Sequence, residues 1–389
     1  VIFSPPSLDE AEAQVVSLIN DIRGRLTYAT SVPTRWFGLL ARNVRARALR
    51  GSNSIEGYNV SVEDAIAALE NELPVDAEQR DWAAVRGYRN AMTYVIQLAD
   101  DVHFEYSEGF IRSLHYMMLD YDLSKHPGKW RPGPIYVRDE ARAQIVYEAP
   151  PAEDVPRLMR ELLSTLQKPR ADLPVLVRAA MAHLNLVMIH PFSDGNGRMA
   201  RCLQTLVLAR EGILERHFCS IEEYLGANTS DYYATLIEVG RGAWHPGNDT
   251  RQWIRFNLTA HYRQAMTLLR RTREIQRIWD QLEVEVQQRG LPDRAIFALA
   301  DAAIGLSVRN STYRAAADIS ENLASRDLKM LCDHGLLRPE GEKRGRVYTA
   351  GLPVVAIRRR AEEPRGDVPD PFDVVKQTTI PGFEAFTDT

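Results

Sequence analysis

Along most of the first 290 positions, apolar residues recur at spacings of three and four, the repeat of helices that bury one face. The first such run, residues 9–26 (DEAEAQVVSLINDIRGRL), carries acids in its opening turn, where they complement the helix dipole. Further runs follow at 36–50, 62–73, 81–100 and 107–120. The pattern breaks at 125–134, KHPGKWRPGP, with three prolines and two glycines. Two short β-branched and aromatic stretches flanking a polar turn come next, which predicts a β-hairpin from Pro134 to Ala149. Helical spacing resumes at 154–168, 175–190, 198–212 and 230–240. It ends in one long bridging run, 250–290, which Gly290 and Pro292 terminate.

From Pro292 to Leu352 the pattern becomes three short helices followed by strand, turn and strand. The expected architecture is all-α with one small hairpin and a second, smaller C-terminal domain. The expected divisions are an N-terminal helical region 1–110, a central domain 111–270, a linker helix and small domain 271–360, and an acidic, poorly packed tail 361–389.

Composition narrows the class. The 389 residues are 45% hydrophobic and 26% charged, as in globular proteins. The most apolar stretch, Leu173 to Ile189, contains Arg178 and His183 and is shorter than the ~20 apolar residues a bilayer requires, so no membrane partner is expected. The opening VIFSPPSLDE lacks the basic and apolar parts of a secretory signal and an initiator Met, so numbering that starts inside a processed chain, without export, is expected. Cys202, Cys219 and Cys332 form no CxxC pair, which predicts neither a disulfide framework nor a zinc site, and a reducing, cytoplasmic location. The net charge of −4 hides an uneven distribution: residues 251–360 carry +8, the tail −5 and the first 250 residues −7. Any nucleic-acid partner therefore concerns the C-terminal third.

The chemistry concentrates in His190-Pro-Phe-Ser-Asp-Gly-Asn-Gly-Arg-Met-Ala-Arg201. An apolar helix delivers His190, and a second helix begins within the segment, so its middle lies at a helix N-terminus, where free amides and the dipole favour an anion. Gly195 and Gly197 permit successive amides to turn toward phosphate oxygens. Arg198 and Arg201, three apart, add guanidinium donors on one side of the first turn. Asp194 offers a hard oxygen where Mg²⁺ bridging two phosphates would need one. His190 alone in the set has an unperturbed pKa, ~6.5, suited to removing a proton near neutrality. Gly195, Gly197 and Ala200 also fit the dinucleotide fingerprint, but that requires a preceding strand, and the preceding run is helical. His245-Pro246 has no arginines behind it, and His183 reads as a core or supporting histidine.

HPFSDGNGRMAR resembles the Fic-family motif HxFx[D/E]GNGRxxR at every fixed position, a match expected by chance in far fewer than about one in a million chains of this length. The similarity extends over most of residues 1–260. It implies a helical Fic core with a hairpin flap and transfer of AMP from ATP to a Ser, Thr or Tyr hydroxyl of a target protein, and of the chain itself. It makes His190 the base, Phe192 the anchor of the loop and Asp194 the Mg²⁺ ligand. Asn196 and the 195–197 amides would grip the α- and β-phosphates with Arg198, and Arg201 the γ-phosphate. Gly197 stands where the Doc-like, phosphate-transferring branch has Lys, which favours nucleotidyl transfer. By the same resemblance Asn228 and Tyr232, in the SDYY segment, are candidates for the nucleoside pocket.

In such enzymes the hairpin aligns the target by strand addition, which a two-stranded hairpin with free edges can do without demanding a sequence. Ile135 and Val137 are the flap residues to test. Ser52-Asn-Ser-Ile-Glu56-Gly57 resembles the inhibitory motif [S/T]xxxE[G/N] of regulated Fic proteins, with Glu56 pairing with Arg201 in place of the γ-phosphate. Two alternatives stay open: removal of AMP at the same site with help from Glu56, and a DNA-binding regulator that only senses nucleotide.

Residues 292–350 resemble a winged helix-turn-helix, with PEGEKRG as the wing. The helix that would read DNA, within 319–334, holds Arg326 and Lys329 against Glu321, Asp327 and Asp333, a poor balance for a recognition helix. Target recruitment or a homodimer is therefore favoured over DNA.

Overall fold

The computed structural model describes residues 1–31, 35–74, 76–139, 144–168, 170–212, 220–341 and 346–378. The hairpin turn at 140–143, Cys219 and positions 342–345 of the wing lie outside them. The chain divides into two compact units, one built from residues 1–28, 44–266 and 368–389, the other from 29–43 and 267–367.

The helices follow the predicted order: α1 (Glu10–Ser31), α2 (Phe37–Ile55), α3 (Val62–Leu69), α4 (Gln79–Gln97) and α5 (Glu108–Leu119) precede the hairpin β1 (Tyr136–Asp139) and β2 (Gln144–Glu148). Next come α6 (Val155–Gln167), α7 (Val175–Ile189), α8 (Asn196–Arg210), α9 (Glu222–Ala227), α10 (Thr229–Gly240), the two-residue β3 (Gly242–Ala243) and α11 (Arg251–Gln288). The chain continues through α12 (Ala295–Ala303), α13 (Asn310–Ala317), α14 (Glu321–Asp333), β4 (Leu337–Glu340), β5 (Val347–Ala350), α15 (Leu352–Ala361) and α16 (Pro371–Thr378). The fold is all-α with small β-elements.

The first unit is organised around α7 and α8. Helix α7 is apolar almost all round and buried almost all round, as a central helix must be. Helix α8 is equally buried but polar: Asn196, Arg198, Arg201, Gln204 and Thr205 all lie inside. Burying such groups is costly unless each finds a partner, so a polar helix at the centre implies a built polar site. At the opposite flank the buried Glu12 of α1 accepts from Arg251 (2.7 Å) and Arg255 (2.8 Å) of α11, which pins the two helices together.

The hairpin pairs Tyr136 with Glu148 and Val137 with Tyr147, with an irregularity between Val137 and Arg138. Its edges are not equally free. At Tyr147 and Glu148, β2 also pairs in parallel with β3, so β1 presents the open edge along the base.

In the second unit, α12, α13 and α14 precede the antiparallel pair β4–β5, and Val308 bridges to Tyr348. Asp327 of α14 is turned inward, accepting from Arg294 (2.7 and 3.0 Å) and from the Tyr313 hydroxyl (2.8 Å). The expectation of a poorly packed tail is corrected up to residue 378. Residues 371–378 form α16, Val375 is buried and Phe372 lies 5.1 Å beneath the Arg255 guanidinium. The charge-based reading overlooked the PFDVV run, whose apolar residues share one helical face. Among the described residues no helix is long and apolar enough to cross a membrane.

Candidate active site

Helix α7 ends at His190, whose φ of 52° is left-handed, a conformation uncommon for a non-glycine residue and often a mark of function. Its N–H still bonds to Leu186 O (3.0 Å), so the turn closes while the side chain is directed out of the helix. The ring Nδ1 lies 3.1 Å from Val187 O and must donate there, which leaves the Nε2 lone pair as the free acceptor. Burial lowers the His190 pKa to about 4, against the Val187 carbonyl, which raises it. At neutral pH the ring is an unprotonated base.

Arg131, in the proline- and glycine-rich segment, holds this turn. Its N–H donates to Pro191 O (2.9 Å), Nε to His190 O (2.8 Å), Nη1 to Gly133 O (2.6 Å) and Nη2 to Pro150 O. One buried side chain thus ties the His190 loop to both ends of the hairpin.

His115 of α5 supports the loop from below. It stacks on Phe192 (3.7 Å between centroids, 6° between planes), receives Gly128 N–H at Nδ1 (2.9 Å) and donates from Nε2 to Asp194 O (3.0 Å). Asn196 closes the loop on itself, accepting from Phe192 N and donating to Phe192 O, both at 2.9 Å. Gly195, at φ 75°, begins α8, and a Cβ there would also meet Leu119 at 2.9 Å. The amides of residues 196–198 are left at the N-terminus of a buried helix, while the Gly195 amide is taken by Asp194.

Two arginines face this terminus. Arg198 is fully buried, and none of its three nitrogens meets a hydrogen-bond partner at good geometry; its guanidinium lies 5.1 Å over the Tyr58 ring, and against burial the Glu56 carboxylate and the Tyr121 hydroxyl raise its pKa. A buried guanidinium with unspent donors at a helix N-terminus suits an anionic ligand. Arg201 is occupied instead: Nε donates to Ser52 Oγ (2.7 Å), and Nη2 donates to Ser52 O (3.0 Å) and Glu56 Oε1 (2.7 Å). Burial is the largest single influence and works against its charge, but the Glu56 carboxylate together with Tyr232 and Tyr88 outweighs it, and the pKa is raised. Helix α2 runs on to Ile55, five residues past its sequence-predicted end, and this extension delivers Ser52 to Arg201. Glu56 Oε1 lies so close to Gly197 that a Cβ there would collide with it.

Asp194 Oδ1 accepts from Gly195 N (2.6 Å), and Oδ2 is 3.4 Å from Lys125 Nζ. Among the described residues no group of three or more His, Cys, Asp or Glu could hold a metal. One partly exposed carboxylate fits Mg²⁺ here, because Mg²⁺ takes one or two protein carboxylates and completes its shell with phosphates and water.

Asn228 and Tyr232 stand differently from expectation. The Asn228 amide donates to Tyr224 O (2.8 Å) between α9 and α10. Tyr232 is buried, its hydroxyl 2.9 Å from His183 Nε2, and the opposite ring nitrogen of His183 lies 2.5 Å from Gln204 Oε1. Tyr233, one residue on, is half-exposed, and its hydroxyl reaches Ile55 O (3.3 Å) beside Glu56. Ile135 O accepts from Ala149 N (3.2 Å), and Val137 faces Tyr147 across the hairpin. Sequence reasoning missed Arg131, His115, Tyr58 and Tyr233, whose partners lie far away along the chain.

Residues 105–208 match the Fic/DOC family. Curated relatives include the protein adenylyltransferase Fic of Nematostella vectensis, 29% identical over 53% of this chain and 44% of that protein, and that of Aedes aegypti, 31% identical over 46% and 36%. The chain thus spans less than half the length of these relatives. Among solved structures, a Fic family protein from Desulfovibrio desulfuricans G20 aligns with TM-score 0.58 at 22% identity, covering 90% of this chain and 99% of that one. Fic-1 of Caenorhabditis elegans aligns with TM-score 0.51, also at 22% identity, over 66% and 72%. The His190 loop, the amide terminus of α8 and its two arginines therefore all lie within the residues that match the Fic/DOC family.

Proposed function

We propose that the chain is a protein adenylyltransferase, transferring AMP from ATP to a Ser, Thr or Tyr hydroxyl of a target protein and of itself, and that Glu56 holds it inhibited. The observation that carries this reading is the pair of buried arginines at the α8 N-terminus, one with unspent donors and one held by Glu56, beside a histidine with a free Nε2. The curated relatives named protein adenylyltransferase support it.

In this mechanism the amides at 196–198 and Arg198 receive the phosphate chain, and Arg201, once released, takes its far end. His190 accepts the target's proton at Nε2 as the hydroxyl oxygen attacks the α-phosphorus and pyrophosphate leaves. Asp194 would hold Mg²⁺, which supplies charge neutralisation on the phosphates. The open edge of β1 lays the target segment across the site through main-chain hydrogen bonds, with Ile135 and Val137 at that edge. Tyr232 and His183 act from behind, holding α8 through Gln204, and Asn228 fixes the turn into α10. With Glu56 on Arg201, the γ-phosphate loses its anchor and the chain of phosphates is not aligned for in-line attack.

Mass spectrometry after incubation with each nucleoside triphosphate tests this. A +AMP adduct on the Glu56→Gly chain or its target is expected with ATP; no adduct with any triphosphate would sink the proposal.

We also infer that residues 292–350 are a winged-helix module for target recruitment or pairing of two chains rather than for DNA. With Asp327 turned inward, the exposed charges of α14 are Arg326 and Lys329 against Glu321 and Asp333, a balance that attracts phosphates poorly. A gel shift on random duplex DNA is expected to show no salt-sensitive complex; a steep salt dependence would overturn this.

A further inference from the structure

Behind the catalytic arginines, α2, α4 and α8 enclose a second cavity of about 40 Å³, lined by Arg45, Leu49, Arg89, Met92, Thr205 and Glu222 among others. A water needs roughly 10–15 Å³ by this measure, so the cavity takes a group the size of a phosphate rather than a nucleoside. Its two cations are uncompensated. Among the described residues, neither Arg45 nor Arg89 forms an ion pair; Arg89 donates to Asn71 Oδ1 from Nη2, and its Nε is buried with no partner. Burial and then the charge of a neighbouring arginine depress both guanidiniums, Arg89 acting on Arg45 and Arg86 on Arg89. The one carboxyl in the lining does not offset them. Glu222 accepts from the Tyr88 hydroxyl (2.6 Å), and burial raises its pKa to about 7, so it is largely protonated at and below neutrality. Two like charges sharing a part-buried apolar cleft persist at a cost unless an anion joins them.

We propose that this cavity is a second anion site, in which Arg45 and Arg89 clamp a phosphate-sized oxyanion, with the Thr205 hydroxyl in the same lining. Guanidinium pairs suit such an ion because their planar donors match tetrahedral oxygens two at a time. The site is distinct from the α8 terminus, where Arg198 and Arg201 lie. Arg45 precedes Ser52 by seven residues, two turns along α2, so an occupant bears on the helix that holds Arg201. That coupling rests on the inhibitory reading of Glu56, whereas binding itself does not.

Calorimetric titration with inorganic phosphate, and in parallel with glycerol 1-phosphate, tests the proposal on the full chain. Binding is expected to persist when the catalytic arginines are replaced (R198A/R201A) and to weaken at least tenfold when R45M/R89M is added to that background. Tighter binding of the phosphomonoester would assign the site to the terminal group of a larger molecule, and equal or weaker binding to the free ion. The thermal melt is a second readout. Without phosphate, R45M is expected to melt no lower than the unaltered chain, because one of two repelling charges is gone, yet to lose the rise that phosphate produces. Phosphate binding that vanishes in R198A/R201A while that variant melts cooperatively, or that is unchanged when R45M/R89M is added to R198A/R201A, would overturn the proposal.

Discussion

In the proposed mechanism Glu56 and His190 act on the reaction in opposite senses, and single substitutions separate them. Removing the Glu56 carboxylate frees Arg201 Nη2, so Glu56→Gly is expected to raise AMP incorporation by at least tenfold over the unaltered chain; unchanged or lower incorporation of labelled AMP would contradict the inhibitory role. His190 touches no phosphate-binding group, so His190→Ala is expected to abolish transfer while leaving ATP affinity within about threefold. If nucleotide binding is lost with it, the ring serves binding and the role is misassigned. The pH profile carries the same assignment. Burial lowers the pKa of His190 to about 4, so its neutral, base-competent form predominates above that value. Transfer by the Glu56→Gly variant is expected to hold its rate from pH 7 down to about 5 and to fall as pH approaches 4; a rate that halves near pH 6.5 would place an unperturbed histidine in the role.

The flap shows what an element adds to its residues. The sequence predicts two strands and open edges, but β3, two residues long and 94 positions after β2, occupies part of one edge at Tyr147 and Glu148. Target capture then falls to β1. Val137→Pro, which interrupts that strand, is expected to raise the apparent KM for the protein acceptor severalfold with little change in ATP affinity; equal effects on both would deny the flap a docking role. Elements were legible wherever one face repeats, as in α1, α5 and α7, and the His190–Arg201 loop was legible because its chemistry is contiguous in sequence. What escaped notice is held by distant partners. Nothing near position 131 announces that its guanidinium will span His190, Gly133 and Pro150, and nothing near Glu222 announces a buried carboxyl. The end of α2 was misjudged because Gly51, Ser52, Asn53 and Ser54 are poor helix formers. Tertiary contact overrides them: a Cβ at Gly51 would strike the Glu222 backbone, so the helix is held against α9 where a side chain would push it away.

Across the first unit, four histidines are buried in neutral form. Burial lowers the pKa of His115 and His190 to about 4 and of His183 to about 3, and places His261 well below its ordinary value, with Arg23 adding to that last effect. In the unfolded chain each would titrate near 6.5, so between about pH 6.5 and 4 the unfolded state binds more protons than the folded one, and stability falls as pH falls. Glu222 opposes them, because its raised pKa of about 7 makes the folded state the greater binder of protons between about 4.5 and 7. Four groups against one leaves a net loss toward acid. At ~2–4 °C per kcal/mol for a unit of this size, a melting temperature lower by roughly 5–10 °C at pH 5 than at pH 7 is expected. Replacing His183 by Gln removes one titrating group while keeping a donor and an acceptor between Gln204 and Tyr232, and should flatten that slope. A melting temperature independent of pH over this window would show that the rings titrate in the folded state as they do in the unfolded chain, near 6.5, and would overturn the lowered pKa of His190.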